Sequence, residues 1–193
     1  DHHELHGPQQ FGARERPHQR EPAHRRHHRT AQPLQDARRN EQQLLTAARD
    51  EFIEHGAQTP LEDIAAAAGV GIATLYRRFG DRLGLARAVA LQALQQTYAA
   101  ANAAHTSEQD PFQALASYMH AVLDFRTSAV MPELLNQLAE DDPERLEISA
   151  AINELVEDMI NQARRGGLIR EEVTFADVGL LLVRLARPLI GLT

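Results

Sequence analysis

The chain has 193 residues, a formal net charge of −7, 43% hydrophobic residues and no cysteine. This length suits one compact domain or a small domain joined to a larger one, and the lack of cysteine excludes a disulfide framework and thiol chemistry. The longest apolar run, Val178–Val183, is too short to span a membrane and ends at Arg184. Because no secretory signal is visible, we expect a cytoplasmic protein.

The charge is unevenly distributed along the chain. Residues 1–33 carry a net charge of +2, residues 34–83 carry −2 and residues 84–193 carry −7. The first segment is rich in Arg, Gln, Pro and His and has little to bury, so we expect it to be disordered. Its histidines lack the cysteine or spaced carboxylate that would complete a metal site, and we expect neither a metal nor a cofactor.

The first predicted helix covers Leu34–His55, and Gly56 ends it. Its apolar residues fall within one arc: Leu44, Leu45, Ala48 and Phe52. Arg38 and Arg39 lie near its exposed start, where they are either solvated charges or contacts to a nucleic-acid backbone.

Two short helices joined by a tight turn are predicted over Thr59–Leu83. The first begins with a capping box, in which Thr59 is the N-cap, Pro60 takes the first helical position and Glu62 completes the motif. Its packing face has the spacing of an amphipathic helix: Leu61, Ile64, Ala65 and Ala68. Gly69 can adopt the left-handed conformation that ends such a helix.

The second helix of the pair is predicted over Ile72–Phe79. Its inner arc holds Ile72, Leu75, Tyr76 and Phe79, and its outer arc holds Ala73, Thr74, Arg77 and Arg78. Small residues let a backbone approach closely, and arginines bind phosphates or guanine edges in a major groove. The alternative is an ordinary helical hairpin with two solvated arginines. The capping box, the glycine-containing turn and the absence of acids from Ile64 to Gly80 together favour DNA binding.

The segment DIAAAAGVGIATLYRRFGDR, residues 63–82, resembles the helix-turn-helix signature of the TetR (tetracycline-repressor-like) transcriptional regulators. The shared residues are Ile64-Ala65, Ala68-Gly69-Val70, Thr74-Leu75-Tyr76 and Phe79. Gly71 stands where the family usually has Ser, and it is a weaker N-cap. The resemblance implies an all-α fold, with a three-helix DNA-binding domain at residues 34–83 and a helical ligand-binding and dimerisation domain at residues 84–193.

The resemblance also implies a set of DNA contacts. Thr74 and Arg77 are expected to touch bases or adjacent phosphates, and Tyr76 is expected to fix the register through a phosphate. Arg82 takes the family's basic, phosphate-contacting position at the start of the helix that links the DNA-binding domain to the rest of the chain. The candidate DNA contacts are Arg38, Arg39, Thr59, Gly71, Ala73, Thr74, Tyr76, Arg77, Arg78 and Arg82.

The remaining chain is predicted to be helical. The segments are Arg82–Thr106 with Asp81 as its N-cap, Pro111–Thr127, Pro132–Ala139, Pro143–Arg165 with Asp142 as its N-cap, and Phe175–Ile190. The last segment is apolar almost all round, as expected for a helix buried between partners. In a homodimer, Leu181 or Leu185 would lie close to the two-fold axis. Because the family usually has one further helix, we expect that the last helix is missing from this chain.

Candidate effector-binding residues are the Met and aromatic side chains of the second domain and one His, although for any one of them ordinary core packing is the favoured interpretation. They are Phe112, Tyr118, Met119, His120, Phe125, Met131 and Met159. By the family pattern the effector is a small, largely apolar molecule, which changes the spacing of the two DNA-binding domains of a dimer. The sequence does not identify it.

The hypothesis is therefore a small-molecule-responsive repressor without catalytic residues, which binds a palindromic operator in double-stranded DNA as a homodimer. Two alternatives remain open. One is an all-α enzyme, although the single E-x-x-H spacing, Glu21 to His24, contains Pro22 and cannot lie on a helix. The other is a helix-turn-helix protein with an architectural or partner-binding role, which would need no ligand cavity.

Overall fold

The computed structural model of the protein describes residues 31–107 and 110–186, with side chains from residue 39 onward. The chain divides into two compact units, residues 1–37 and 38–193, and all packing described below lies within the second. Most of the predicted tail and the last residues of the final predicted helix, Arg187 to Ile190, lie outside the described residues. Across the described ranges the secondary structure is helical throughout and contains no strand, which confirms the predicted all-α fold class.

The described residues form eight α-helices and one short 3₁₀ turn. The helices are α1 (Ala31–His55), α2 (Leu61–Ala67), α3 (Ile72–Phe79), α4 (Arg82–Ser107), α5 (Pro111–Asp124), α6 (Met131–Asn136), α7 (Pro143–Arg165) and α8 (Phe175–Ala186). The 3₁₀ turn, Thr127–Ala129, lies between α5 and α6 where the sequence predicted the end of a longer α5. None of the described helices is long and apolar enough to span a membrane.

Local capping explains where several helices begin and end. The Asp142 carboxylate accepts the Arg145 backbone N–H at 3.1 Å, so the predicted N-cap of α7 is confirmed. The predicted turn after α2 is also confirmed, because Gly69 has φ +68° and the Val70 N–H donates to the Ala65 carbonyl at 3.0 Å.

The predicted capping box at Thr59 is wrong. Helix α2 begins at Leu61 with Pro60 in the N-cap position, and no side chain caps it. The Thr59 hydroxyl instead donates to the carbonyls of Gly56 at 2.8 Å and Glu51 at 3.4 Å. The Gly56 carbonyl also accepts the Thr59 backbone N–H at 3.2 Å, so the turn after α1 holds the hydroxyl that the local sequence assigned to α2.

Two hydrophobic cores lie along α4. The first joins α1, α2, α3 and α6 to the N-terminal part of α4, and its fully buried side chains include Phe52, Ile64, Leu75 and Leu134. The second joins α5, α7 and α8 to the C-terminal part of α4. Helix α4 changes from one core to the other between Ala90 and Leu91. The same rigid element therefore supports both halves of the fold.

The corner between α3 and α4 is unusually tight. Gly80 ends α3 with φ +79°, and the Asp81 carboxylate then accepts the Gly84 backbone N–H at 2.8 Å, as expected for the N-cap of α4. A Cβ atom on Gly84 would lie only 1.9 Å from the Phe79 carbonyl oxygen. Only glycine therefore fits here, and the start of α4 fixes the position of the end of α3.

An ion-pair cluster ties α4 to the start of α7. The Arg87 guanidinium donates to both carboxylate oxygens of Asp142, at 2.5 and 3.2 Å, and to Glu144 at 3.1 Å. The hydrogen bonds from Arg87 hold the pKa of the Asp142 carboxyl below its ordinary value, and this carboxylate also caps α7. Asp142 therefore both caps α7 and pairs with Arg87 of α4.

Candidate nucleic-acid interface and cavity

Helix α3 presents a mostly uncovered outer face. Leu75 is fully buried and is the only buried residue of the helix, while Ala73, Arg77 and Arg78 are exposed and Thr74 is half-buried. Tyr76, which the helical wheel placed on the inner arc, is 46% exposed. The first core accommodates Leu75 together with parts of Ile72 and Phe79, and this leaves the larger Tyr76 ring on the surface.

The two arginines of α3 differ in their surroundings. Arg77 is exposed and makes no hydrogen bond or ion pair to any residue that the structure describes. The Arg78 guanidinium, by contrast, donates to the carboxylate of Glu41 on α1. The sequence placed both on one outer arc, but a partner 37 residues away in the chain could not be identified from the helical pattern. Arg77 is therefore the α3 cation available to an incoming anion.

Two other predicted contacts have structural roles within the fold. Arg82 donates to the carbonyl of Thr59 at 2.7 Å and to that of Ala57 at 3.2 Å, so its guanidinium holds the loop between α1 and α2 against the start of α4. Thr59 is only 5% exposed, and its hydroxyl bonds inward. Thr59 therefore does not present its side chain to a partner.

The remaining predicted contacts lie around α3 and on α1. Gly71 is exposed and takes the N-cap position of α3 in extended backbone, without a side-chain cap. Arg39 is exposed on α1. The side chain of Arg38 lies outside the described residues. No acidic residue occurs within α3, so the exposed surface of this helix combines small, aromatic and basic groups.

A separate apolar cavity, open to the surface, lies beside the second core. It has a volume of about 430 Å³ and is bounded by α4, α5, α6, α7, α8 and the 3₁₀ turn. Its lining residues are Leu94, Thr97, Tyr118, Val122, Ser128, Met131, Pro132, Leu135, Ser149, Ile152, Asn153, Phe175, Gly179, Leu182 and Val183. A mostly apolar wall with a few polar groups is the usual composition of a small-molecule site.

The polar groups of the cavity were not predicted, apart from Tyr118. Burial raises the pKa of the Tyr118 phenol to about 12, so its hydroxyl stays neutral and can both donate and accept a hydrogen bond. Ser149 and Asn153 stand on either side of Ile152 on one face of α7. Two polar residues four positions apart beside a buried isoleucine share one helix face, and this pattern could have been recognised in the sequence.

Two of the seven predicted effector residues, Tyr118 and Met131, line this cavity. The other five lie elsewhere because the rotation of each helix turns them away from it. Met159 is buried in the second core, and Met119 packs against that core. Phe112 and His120 are exposed. Phe125 lines a different, polar cleft of about 610 Å³.

Helix α8 carries an uncovered apolar face in the part of the chain that the structure describes. Leu180, Leu181 and Leu185 are 63%, 46% and 58% exposed, while Val178 and Leu182 of the same helix are buried in the second core. The two predicted dimer residues, Leu181 and Leu185, therefore both lie on this exposed face. Apolar surface of this kind is typical of a protein–protein contact.

Comparison with domain families identifies both halves of the chain. Residues 44–89 match the model of the bacterial regulatory proteins of the TetR family, and residues 110–189 match the C-terminal domain of SbtR-like transcriptional regulators. The first match includes all of α2 and α3. A comparison with curated proteins gave no match.

Solved structures with a similar fold include several regulators of this family. A TetR transcription regulatory protein from Mycobacterium vanbaalenii is 29% identical with a TM-score of 0.59, and the alignment covers 79% of this chain and 92% of that one. The TetR family regulator PfmR from Thermus thermophilus is 26% identical, with a TM-score of 0.54 and coverage of 72% and 78%. A TetR regulator from Streptomyces coelicolor is 25% identical, with a TM-score of 0.54 and coverage of 75% and 83%.

Two family models thus match the region that contains the outer face of α3 and the region that supplies most of the cavity lining, and the similar structures share the helical fold. The resemblance of residues 63–82 is thereby confirmed. The chain belongs to the TetR family, and it is a DNA-binding transcriptional regulator and not an enzyme.

Proposed function

We propose that this regulator is a repressor that binds a palindromic operator as a homodimer and releases it when a small apolar molecule enters the cavity. The observation that carries the proposal is the course of α4. Its first residue, Arg82, contacts the loop before α2, and Leu94 and Thr97, near the middle of the helix, line the cavity. One helix therefore connects the DNA-binding surface to the effector site.

The proposed roles of the two domains follow from this arrangement. Residues 34–83 bind DNA, and residues 84–193 hold the effector and form the dimer. Arg77 contacts a base edge or an adjacent phosphate, Tyr76 and Arg39 contact phosphates, and Arg82 acts through the loop that it holds. Because a transcriptional regulator of bacterial type must reach chromosomal DNA, we propose a cytoplasmic location.

Dimerisation is proposed through the exposed face of α8. A two-fold contact would cover Leu181 and Leu185 with the same residues of a second copy, which removes their apolar surface from water. Two-fold symmetry in the protein requires two-fold symmetry in the operator, with half-sites about one helical turn of DNA apart.

Release of the operator requires that the effector bind more tightly to the conformation that does not fit DNA, because a ligand with equal affinity for both states does not shift the equilibrium. The cavity chemistry describes the effector class. The apolar wall favours a hydrophobic body, while Tyr118, Ser149 and Asn153 offer hydrogen bonds to one or two polar groups. A ligand-independent architectural role would require no such cavity.

Selection of bound sequences from random duplex DNA tests the proposal. We expect an inverted repeat, and Arg77→Ala should lower affinity for it by about 1–3 kcal/mol while relaxing the preference at one base pair. Asp124→Ala, on an exposed residue at the end of α5, is the control and should leave the affinity unchanged. A selected sequence without any repeat, or an Arg77 variant that binds normally, would contradict the proposal.

Filling the cavity gives a second prediction. Gly179 lines the cavity, and nothing lies within 4 Å of a Cβ placed on it, so Gly179→Leu should fold and project into the empty space. A panel of apolar small molecules is screened by thermal shift, and hits are tested for release of the selected operator. Hits should raise the Tm of the wild type and of Gly179→Ala but not of Gly179→Leu. Hits that stabilise all three proteins equally would place the effector elsewhere.

A further inference from the structure

The pairing of Arg78 with Glu41 has a consequence for DNA binding that depends on where the two residues lie. Arg78 is on the exposed side of α3, next to Arg77, and Glu41 is on α1. Side chains of both partners remain solvent-accessible, at 49% for Arg78 and 28% for Glu41. The guanidinium is thus at the DNA-binding surface, but a carboxylate of the same chain already holds it.

We propose that Glu41 competes with DNA phosphate for Arg78 and thereby weakens binding to DNA of arbitrary sequence. Sequence-independent affinity arises mainly from phosphate contacts, and each contact contributes to the salt dependence of binding. In a chain with a net charge of −7 such contacts are few, so the withdrawal of one is a large fraction of the total. Glu41 would therefore lower the sequence-independent affinity for DNA without touching the DNA itself.

The strength of the pair suits this role. Exposed ion pairs contribute little, so an incoming phosphate can displace Glu41 at a small cost instead of being blocked. The cost applies equally to every sequence, whereas a base contact from Arg77 is gained only at the correct site. Competition of this kind lowers non-specific binding and preserves the difference between operator and random DNA.

The proposal rests on α3 as the DNA-contacting helix, and it is tested with a random-sequence duplex that requires no knowledge of the operator. Glu41→Gln should raise affinity for this duplex by about 1.4- to 5-fold per bound protomer. It should also steepen the dependence of log K on log salt by up to about 0.9 per protomer. The steeper slope is expected because the wild-type carboxylate takes up a cation when Arg78 leaves it.

Two sets of variants separate this competition from a general loss of negative charge. Glu54 lies on the same helix, about 20 Å from Glu41, which is beyond the Debye length of about 8 Å at physiological salt. Glu54→Gln should therefore change neither the affinity for the duplex nor its salt dependence. In an Arg78→Gln background, Glu41→Gln should lose its effect. An equal gain in duplex affinity in both backgrounds would overturn the proposal. Weaker duplex binding by Glu41→Gln would also overturn it, because Glu41 would then position Arg78 for DNA. Failure of α3 as the DNA helix would appear separately, as unchanged duplex binding by Arg77→Ala and Arg78→Gln.

Discussion

Replacing Gly84 by alanine is expected to destabilise the protein by about 3 kcal/mol or more, at or above the upper end of the usual cost of overpacking. The new methyl carbon would lie 1.9 Å from the Phe79 carbonyl oxygen, which is backbone and cannot rotate away. Either α4 must shift along its axis or the end of α3 must unwind. Because α3 is the proposed DNA-contacting helix, operator affinity should fall along with the free energy of unfolding.

The chain contains a matched control for this change. Gly179 also lies within a helix, but a Cβ there meets nothing within 4 Å. Gly179→Ala should therefore stabilise the protein by up to about 1 kcal/mol through the better helix propensity of alanine. Denaturant unfolding of both variants measures the contrast. A Gly84 variant that is as stable as Gly179→Ala would show that the corner between α3 and α4 is looser than described.

Leu75→Ala is expected to cost about 2–5 kcal/mol, the range found for fully buried leucines. Leu75 has no exposed surface and is the only buried residue of α3, so its removal takes away the main anchor of this eight-residue helix. The half-buried Ile72 and Phe79 then hold α3 less rigidly. We expect loss of operator binding at temperatures where far-ultraviolet circular dichroism still reports a helical protein.

The comparison variant is Leu146→Ala, which removes the same atoms from a leucine of α7 that is 48% exposed. It should change the free energy of unfolding by less than about 0.5 kcal/mol and leave DNA binding intact. Equal costs for the two variants would contradict the placement of Leu75 at the centre of the first core.

The sequence predicts helices best where both ends have local signals. Helix α7 begins and ends at the predicted residues because Asp142 and Pro143 start it and Gly166 follows it. The start of α2 had equally strong local signals, yet the hydroxyl of Thr59 donates to the carbonyls of Gly56, just after α1, and of Glu51 in α1. Capping preferences are decided by the acceptors nearest in space, and these include groups that sequence spacing does not reveal.

The candidate site shows the same limit. The proposed recognition surface on α3 was predicted from helical periodicity, and the exposure of Ala73 and Arg77 agrees with that pattern. A cavity is a gap between several helices, and its lining depends on the rotation of each of them. This is why Tyr118 and Met131 were identified but Thr97 and Asn153 were not. The partnership of Arg78 with Glu41 likewise depends on tertiary packing.

Because α4 is uninterrupted, a small tilt of this helix at the cavity would displace its other end. No glycine or proline follows Gly84 in this helix, so it has no ready point at which to kink. From Leu94 at the cavity to Arg82 at its start, the helix acts as a lever about 18 Å long. A tilt of about 6° at the cavity therefore moves the other end by about 2 Å. In the proposed dimer the two displacements add to about 4 Å, which is close to the rise of about 3.4 Å between successive base pairs. A ligand that tilts α4 by only a few degrees would shift the two recognition helices out of register by one base pair.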